Sequence, residues 1–283
     1  MIRGWQPRVA LAVLALLAFG AVVGPELAPA DPRAIGDVIA LRLLPPFSTD
    51  AGGHFHLLGT DGFGRDILAR MLLAARVSLL VGIVGSALAG AIGIVVGAVA
   101  GWRGGLVDRI AIAINDALLA IPRIVLLLVC AALWRPGTAT VVAVLVATGW
   151  MSIARLVRAE VLGIRVRPFV EAASALGASQ RRLLWRHVLP NALGPAIVGI
   201  TLGVGTAILL ESGLSFLGLG VQPPQPSWGN MIADGRALII TAPWVPLAPG
   251  LALVATVLAA TFLGDALRDR LAGETTSLLR DRA

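Results

Sequence analysis

Lysine is absent: all 23 basic residues are arginine. A P-loop nucleotide site needs a lysine on the phosphates. The chain therefore cannot host an ordinary ATPase of that kind, and ATP-driven work would fall to a partner. Cysteine is almost as scarce. The single Cys130 can form neither an internal disulfide nor a cysteine-rich zinc site, and it lies in an apolar run. Charge is sparse as well, at 14% of residues against 57% hydrophobic, with a mean hydropathy of +0.88. Several apolar runs approach the ~20 residues that cross a bilayer, which a soluble chain of 283 residues would not need. There is no H-E-x-x-H and no G-x-S-x-G, and no Ser/His/Asp or Cys/His constellation with a local signature. The glycines around Gly59 and Gly64 lack the G-x-G-x-x-G spacing and follow no strand pattern, so they are not a phosphate loop.

What the chain has is apolar runs separated by arginine-bearing loops. Arg3 and Arg8 precede the run 9–23, with Trp5 as an interfacial anchor. Ala28-Pro29-Ala30 resembles a signal-peptidase site, but an uncleaved first span is the main reading. Residues 25–64 are rich in Pro, Gly and Asp and hold no spanning run. Ile67, Leu68, Met71, Leu72 and Ala75 then share one helical stripe, with Arg65, Asp66 and Arg70 off it. That pattern predicts a short interfacial amphipathic helix leading into the second span.

The second span is expected at 77–100. Its small residues Gly82, Ser86, Gly90, Gly93, Gly97 and Gly101 predict a close helix-packing face. The third, at 110–133, contains Asp116, Pro122 and Arg123, and Pro122 predicts a kink. The fourth is expected at 139–157, the fifth at 191–219 with Glu211 inside it, and the sixth at 245–263. Residues 220–245 carry too many prolines to cross as a regular helix. The domain reading is a first transmembrane helix at 1–24 and an external segment at 25–76. A five-helix core follows at 77–265 with a loop at 158–190, then a tail at 266–283.

Six spans put both termini and the 158–190 loop on one side. Fifteen of the arginines fall on that side, seven on the other, and Arg123 lies within the membrane. The positive-inside rule makes the arginine-rich side cytoplasmic. This sorting accounts for the net charge of +7 and pI near 11.4 without a nucleic-acid partner.

Charged groups inside a membrane are costly and are functional candidates by default. Asp116, Arg123 and Glu211 are the three. Glu211 reads either as a packing carboxylate or as a group lining a path. By helical rise Glu211 lies ~30 Å from Asn191 and Arg123 ~20 Å from Ile110, so the two could pair in the outer half. Arg123 could instead snorkel toward water. His54 and His56 form an H-x-H with no third ligand in sight, so no metal site is assigned. His187 reads as a packing or capping residue.

The most polar stretch between apolar blocks is EAASALGASQRRLLWRHVLP, Glu171 to Pro190. Pro168 suits a first helical turn, Gly177 a left-handed helix end, and Ser179 an N-cap. Two short helices around a glycine turn are expected, the second ending at Pro190. The pattern EAA, three residues, Gly, then LP resembles the signature of binding-protein-dependent ABC importer permeases, with His187 standing at a position where that family is apolar. Gly59-Thr60-Asp61 with Gly64-Arg65-Asp66, and LSFLGLGVQPPQPSWG from Leu214, resemble the dipeptide, oligopeptide and nickel branch.

The resemblance implies an all-α, polytopic fold of six transmembrane helices, the type I importer permease fold, in the inner membrane with both termini cytoplasmic. It implies a transport subunit and not an enzyme. It implies a related second permease, two cytoplasmic ATPases that carry the ATP and Mg, and an external substrate-binding protein, working by alternating access. Glu171, Ala172, Ala173, Leu176, Gly177, Leu189 and Pro190 would form the coupling element that docks on an ATPase. Di- and oligopeptides are the first expectation for cargo, with nickel, glutathione or another small solute as alternatives. An ion-coupled secondary transporter, with Glu211 and Asp116 as proton sites, is the reading from another class. An intramembrane enzyme would need a catalytic pair at matched depth, and none is evident.

Overall fold

The computed structural model describes residues 5–27 and 38–280, with side chains up to Leu271 apart from that of Leu27. The Ala28-Pro29-Ala30 stretch lies outside the described residues. Among those described, five helices are long and apolar enough to cross a membrane, or six if a bent pair of helices is one span.

The first span is α1 (Gln6–Leu27), which packs on α3 and α11 at the edge of the bundle. Leu11, Leu16, Phe19 and Val22 point outward, as lipid-facing side chains do. A one-turn helix, α2 (Val38–Leu41), and a minimal antiparallel hairpin, β1 (Ser48–Thr49) with β2 (Phe55–His56), follow.

The centre of the bundle is α3 (Ile67–Arg103), 37 residues long, which touches α1, α4, α6, α9, α10 and α11. The expected separate interfacial helix does not exist. No glycine or proline interrupts residues 67–77, Asp66 caps the helix by accepting from the Ala69 N–H (2.8 Å), and the amphipathic stretch is simply its first turns. Arg70, expected off the apolar stripe, is buried at 4% exposure.

The small-residue ladder of α3 serves two neighbours. Added Cβ atoms at Gly82 and Gly90 would strike Ile208 and Ile200 of α9 (Leu189–Phe216). At Gly93, Gly97 and Gly101 they would strike the carbonyl oxygens of Trp150, Ala154 and Arg158 on α6 (Thr138–Ile164). The four-residue steps match on both helices, so the backbones meet one turn at a time. In lipid this close packing, and not the hydrophobic effect, holds helices together.

The third span is two helices, α4 (Gly105–Leu119) and α5 (Arg123–Leu133), bent by 88° across a three-residue break. The kink expected at Pro122 is therefore a full turn of direction. Pro122 lacks an N–H and disfavours helical geometry before it, so the ladder of α4 ends with the Ala120 N–H to Asp116 and the Ile121 N–H to Leu118, and a new one starts at the Pro122 carbonyl.

α6 runs on to Ile164, seven residues past its expected end, so Arg155 and Arg158 sit within the helix and not at its flank. α10 (Trp228–Gly235), capped by Ser227 and Asn230, and a 3-10 turn (Arg236–Leu238) occupy the proline-rich 220–245 region without crossing. α10 wedges Trp228 and Met231 among α3, α9 and α11 (Trp244–Arg280). α11 continues through the expected tail as helix to Arg280.

Candidate functional site

Two places concentrate polar side chains: the loop after α6, and the interior of the span region.

The loop begins with α7 (Pro168–Ala175), with Pro168 at its first turn. Val170 is buried against Leu183, Leu184 and Val188, which anchors the helix to the bundle. Glu171 lies in the first turn, where the helix dipole favours a carboxylate. Gly177 has φ +83°. Its N–H donates to the Ser174 carbonyl (2.9 Å), and the Ala178 N–H donates to the Ala173 carbonyl (3.1 Å). These two bonds are the Schellman ending of a helix, which requires the left-handed residue at Gly177. Ser179 then caps α8 (Gln180–Arg182), accepting from the Arg182 N–H at 3.4 Å.

The second helix does not end at Pro190. A π turn (Leu183–Val188) joins α8 to α9 without a stop, and Pro190 falls in the first turn of α9. A proline presses its ring on the carbonyl four residues back. The wider π turn, closed by the Leu189 N–H to the Leu184 carbonyl, relieves that clash just ahead of Pro190. The candidate coupling residues consequently separate. Glu171, Ala172, Leu176 and Gly177 are exposed, with Leu176 at 90%; Ala173 is half-buried; Leu189 is buried and belongs to the core; Pro190 is exposed but lies apart from α7 in the helix.

Inside the span region Glu211 is fully buried. The Ser215 hydroxyl donates to its Oε1 (2.7 Å), and Ser78 and Ser212 donate to Oε2 (3.3 and 3.4 Å). Ser78 in turn accepts from the Trp228 N–H, and Ser215 accepts from the Val221 N–H and from Ser227. The network ties α3, α9 and the start of α10 together. No residue in it other than Glu211 stands out in the sequence, because a serine 133 residues away from the glutamate carries no pattern.

Glu211 and Arg123 form no ion pair. Asp116 pairs instead with Arg155 (2.5 Å), both side chains more than half exposed on the surface of the bundle. Asp108, which sequence reasoning passed over, accepts from Nε and Nη2 of Arg158. Arg123 forms no ion pair among the described residues. Its guanidinium enters a cleft of about 280 Å³ between α3, α6 and α9.

Outside the spans, Asp61 accepts from the Phe63 and Arg65 N–H groups and from Arg65 Nε (2.8 Å), and Thr60 bonds Leu41 and Leu44. The GTDGFGRD phrase is thus a self-bonded loop that delivers Asp66 to the cap of α3. His56 donates from Nδ1 to the Asp66 carboxylate (2.8 Å), and His54 contacts Asp50. The His54 backbone N–H, bonded to the Asp50 carboxylate (2.8 Å), holds that carboxyl below its ordinary value. Among the described residues no group of His, Cys, Asp and Glu is arranged to hold a metal.

Residues 93–276 match the family of binding-protein-dependent transport system inner membrane components. A putative peptide permease protein of Brucella suis is 41% identical over 261 residues, 92% of this chain and 84% of that protein. The dipeptide transport system permease protein DppC of Haemophilus influenzae is 35% identical over 263 residues, 93% of this chain and 88% of that one. The solved inward-facing MetNI methionine ABC transporter contains a chain that superposes with a TM-score of 0.59 at 22% identity, covering 70% of this chain and 95% of its own. That likeness carries the fold, the type I importer permease arrangement. The chain belongs to the binding-protein-dependent transport family: it is an inner-membrane, multi-pass permease component of an ABC importer.

Proposed function

We propose, from that membership, that the chain builds one half of a membrane path for di- and oligopeptides. A related second permease supplies the other half. An external binding protein delivers the cargo, and two cytoplasmic ATPases supply the energy through their own ATP and Mg. This chain needs no cofactor. Its residues break no covalent bond; they open the path alternately to each side.

The observation that carries the coupling part of this reading is the loop after α6. Val170 anchors α7 to the core while Glu171, Ala172 and Leu176 stand clear of it. A leucine left 90% exposed at the end of a short helix, beside small alanine side chains, suits a helix seated in a partner's groove. The arginine asymmetry supports a cytoplasmic position for this loop and both termini, the side on which the ATPases would act. Peptide cargo is favoured by what the curated relatives are named for. Against proton coupling, Asp116 is paired with Arg155 and Glu211 is held by three serines.

The test is ATP-dependent uptake in proteoliposomes holding the whole complex and its binding protein. Labelled di- and tetrapeptides should accumulate only with ATP. Accumulation of nickel or glutathione instead would move the reading to that cargo, and uptake driven by a proton gradient without ATP would sink it.

A further inference from the structure

Arg123 opens α5 directly after the break in the third span. Its guanidinium enters the 280 Å³ cleft beside Gly149, where an added Cβ would stand 3.2 Å from Nη2 and 2.9 Å from Ala89. A side chain at position 149 would therefore crowd the arginine. Ser86, Ser152 and Thr206 add hydroxyls to the walls, and Gly203 leaves room opposite. Among the described residues, Arg123 is the one charged side chain lining the cleft. The Ser86 and Ser152 hydroxyls, both on helices whose backbone bonds are already made, engage no partner among the described residues.

The depth matters. Ser86 is midway along α3, Ser152 midway along α6 and Gly203 midway along α9, so the cleft lies near the middle of three crossing helices. In secondary transporters, sites for solutes gather at that depth beside interrupted helices, and a cleft at that depth beside an interrupted helix is present here. A cation there without a counter-ion is costly to keep. An anion arriving between it and two unengaged hydroxyls would find what its lost hydration shell supplied. Guanidinium and hydroxyl donors in one cleft suit the planar, two-oxygen shape of a carboxylate.

We propose that Arg123 receives the C-terminal carboxylate of the peptide as it passes the middle of the membrane, with the Ser86 and Ser152 hydroxyls as co-donors. The inference rests on the reading of peptides as cargo. Arg123 offsets the cost of bringing an anion into a low-dielectric passage, so its effect falls on peptide acids and spares peptides whose C-terminus is uncharged.

The experiment compares one peptide as free acid and as C-terminal amide, each presented on saturated binding protein to the reconstituted complex. Wild type should move the acid at least as fast as the amide. Arg123→Gln should slow the acid roughly tenfold, the loss of about one charge-assisted hydrogen bond, and leave the amide unchanged. Arg123→Lys, which keeps the charge, should retain most of the acid rate, and this guards against a Gln variant that assembles poorly. Equal slowing of acid and amide in both variants would make Arg123 a packing or assembly residue and overturn the proposal. Unchanged acid uptake in Arg123→Gln would overturn it as well. Failure of wild type to move either peptide, with ATP-driven uptake of another solute intact, would remove the cargo reading itself.

Discussion

Asp108 on α4 holds Arg158 on α6 with two parallel hydrogen bonds, Nε to Oδ1 at 2.5 Å and Nη2 to Oδ2 at 2.7 Å. Eight residues along α4, Asp116 takes Arg155 with a single bond. These contacts fasten the first half of the broken span to α6, and Arg165, which donates to the Gly101 carbonyl (3.0 Å), ties the end of α6 to α3. The second half, α5, is fastened separately through Leu127 and Ala131, packed with Val141, Val144 and Leu145. The break at 120–122 therefore lies between two independently anchored pieces.

The two ion pairs should not be equal. Asp108 and Arg158 are 15% and 26% exposed and bonded through both arms, whereas Asp116 and Arg155 are 56% and 58% exposed. Removing one partner of a shielded, bidentate pair strands the other. Asp108→Ala should destabilise the protein by about 1–3 kcal/mol, and Asp116→Ala by at most about 1 kcal/mol. Thermal melting of the purified complex in detergent reads both; the reverse order would contradict this account of the anchoring.

The glycine ladder gives a prediction with a change of sign. A methyl at Gly97 would overlap the Ala154 carbonyl and part α3 from α6, costing about 1–3 kcal/mol as overpacking does. Gly163, in α6, has nothing within 4 Å of a built Cβ. Gly163→Ala should therefore stabilise slightly, by the ~1 kcal/mol by which alanine exceeds glycine in a helix. If Gly97→Ala melts like Gly163→Ala, the close α3–α6 contact is not as described.

Much of this was legible in the residues, and what was not has identifiable causes. Runs of Leu, Val, Ile and Ala announce α1, α3, α6, α9 and α11 because lipid demands them. Pro168, Gly177 and Ser179 announce the turn of the loop because proline fixes φ for a first helical turn, glycine alone takes the left-handed conformation at little cost, and serine caps a helix with its hydroxyl. Pro190 misleads, since the π turn that accommodates it leaves no mark in composition. Arg70 misleads too: a helical stripe says which residues share a face, but not that Asp61 and the external loop will cover the other one. Pro122 marks the break, while the 88° angle leaves no mark in composition, and the ion pairs that hold α4 join residues 39 and 50 positions apart. Glu211 is conspicuous, yet its partners are ordinary serines.

Glu211 should tolerate loss of charge better than loss of hydrogen bonding. Glu211→Gln keeps one acceptor oxygen and can donate its amide N–H to a serine hydroxyl on the other side, whereas Glu211→Leu strands hydroxyls in a fully buried site, at about 1–3 kcal/mol. The expected result is near-normal yield and melting for Gln and a clear loss for Leu, with α10 loosened first because Ser227 and Trp228 hang on this network. Protection of the α10 amides from hydrogen exchange measures it. Normal protection in Glu211→Leu would mean the network does not hold α10.

The membrane orientation is tested with single cysteines in a Cys130→Ala background. Ser174 and Ala51 are both exposed, one in the loop after α6 and the other at the hairpin tip. A membrane-impermeant thiol reagent added to intact cells should label Ala51→Cys and not Ser174→Cys, and inside-out vesicles should give the opposite. Labelling of both from one side would overturn the six-crossing arrangement.

The sharpest expectation concerns Gly177. Its φ of +83° is forced by the Schellman pair of hydrogen bonds, and open space surrounds it, with nothing within 4 Å of a built Cβ. Gly177→Val therefore meets no packing obstacle; its cost is backbone strain alone, about 1–2 kcal/mol. The bundle can bear that, because Val170 and Leu183 anchor the loop from either side of the turn. What changes is the direction in which α7 and Leu176 are presented. Gly177→Val should leave folding and delivery by the binding protein intact while transport falls sharply and stimulation of the ATPases is lost. Ala172→Trp, which thickens an exposed face of α7 without touching the turn, should do the same by steric exclusion. Wild-type transport with wild-type stimulated ATPase in both variants would mean that the coupling surface lies elsewhere. Loss in Gly177→Val alone would place the requirement in the turn and not in the face of α7.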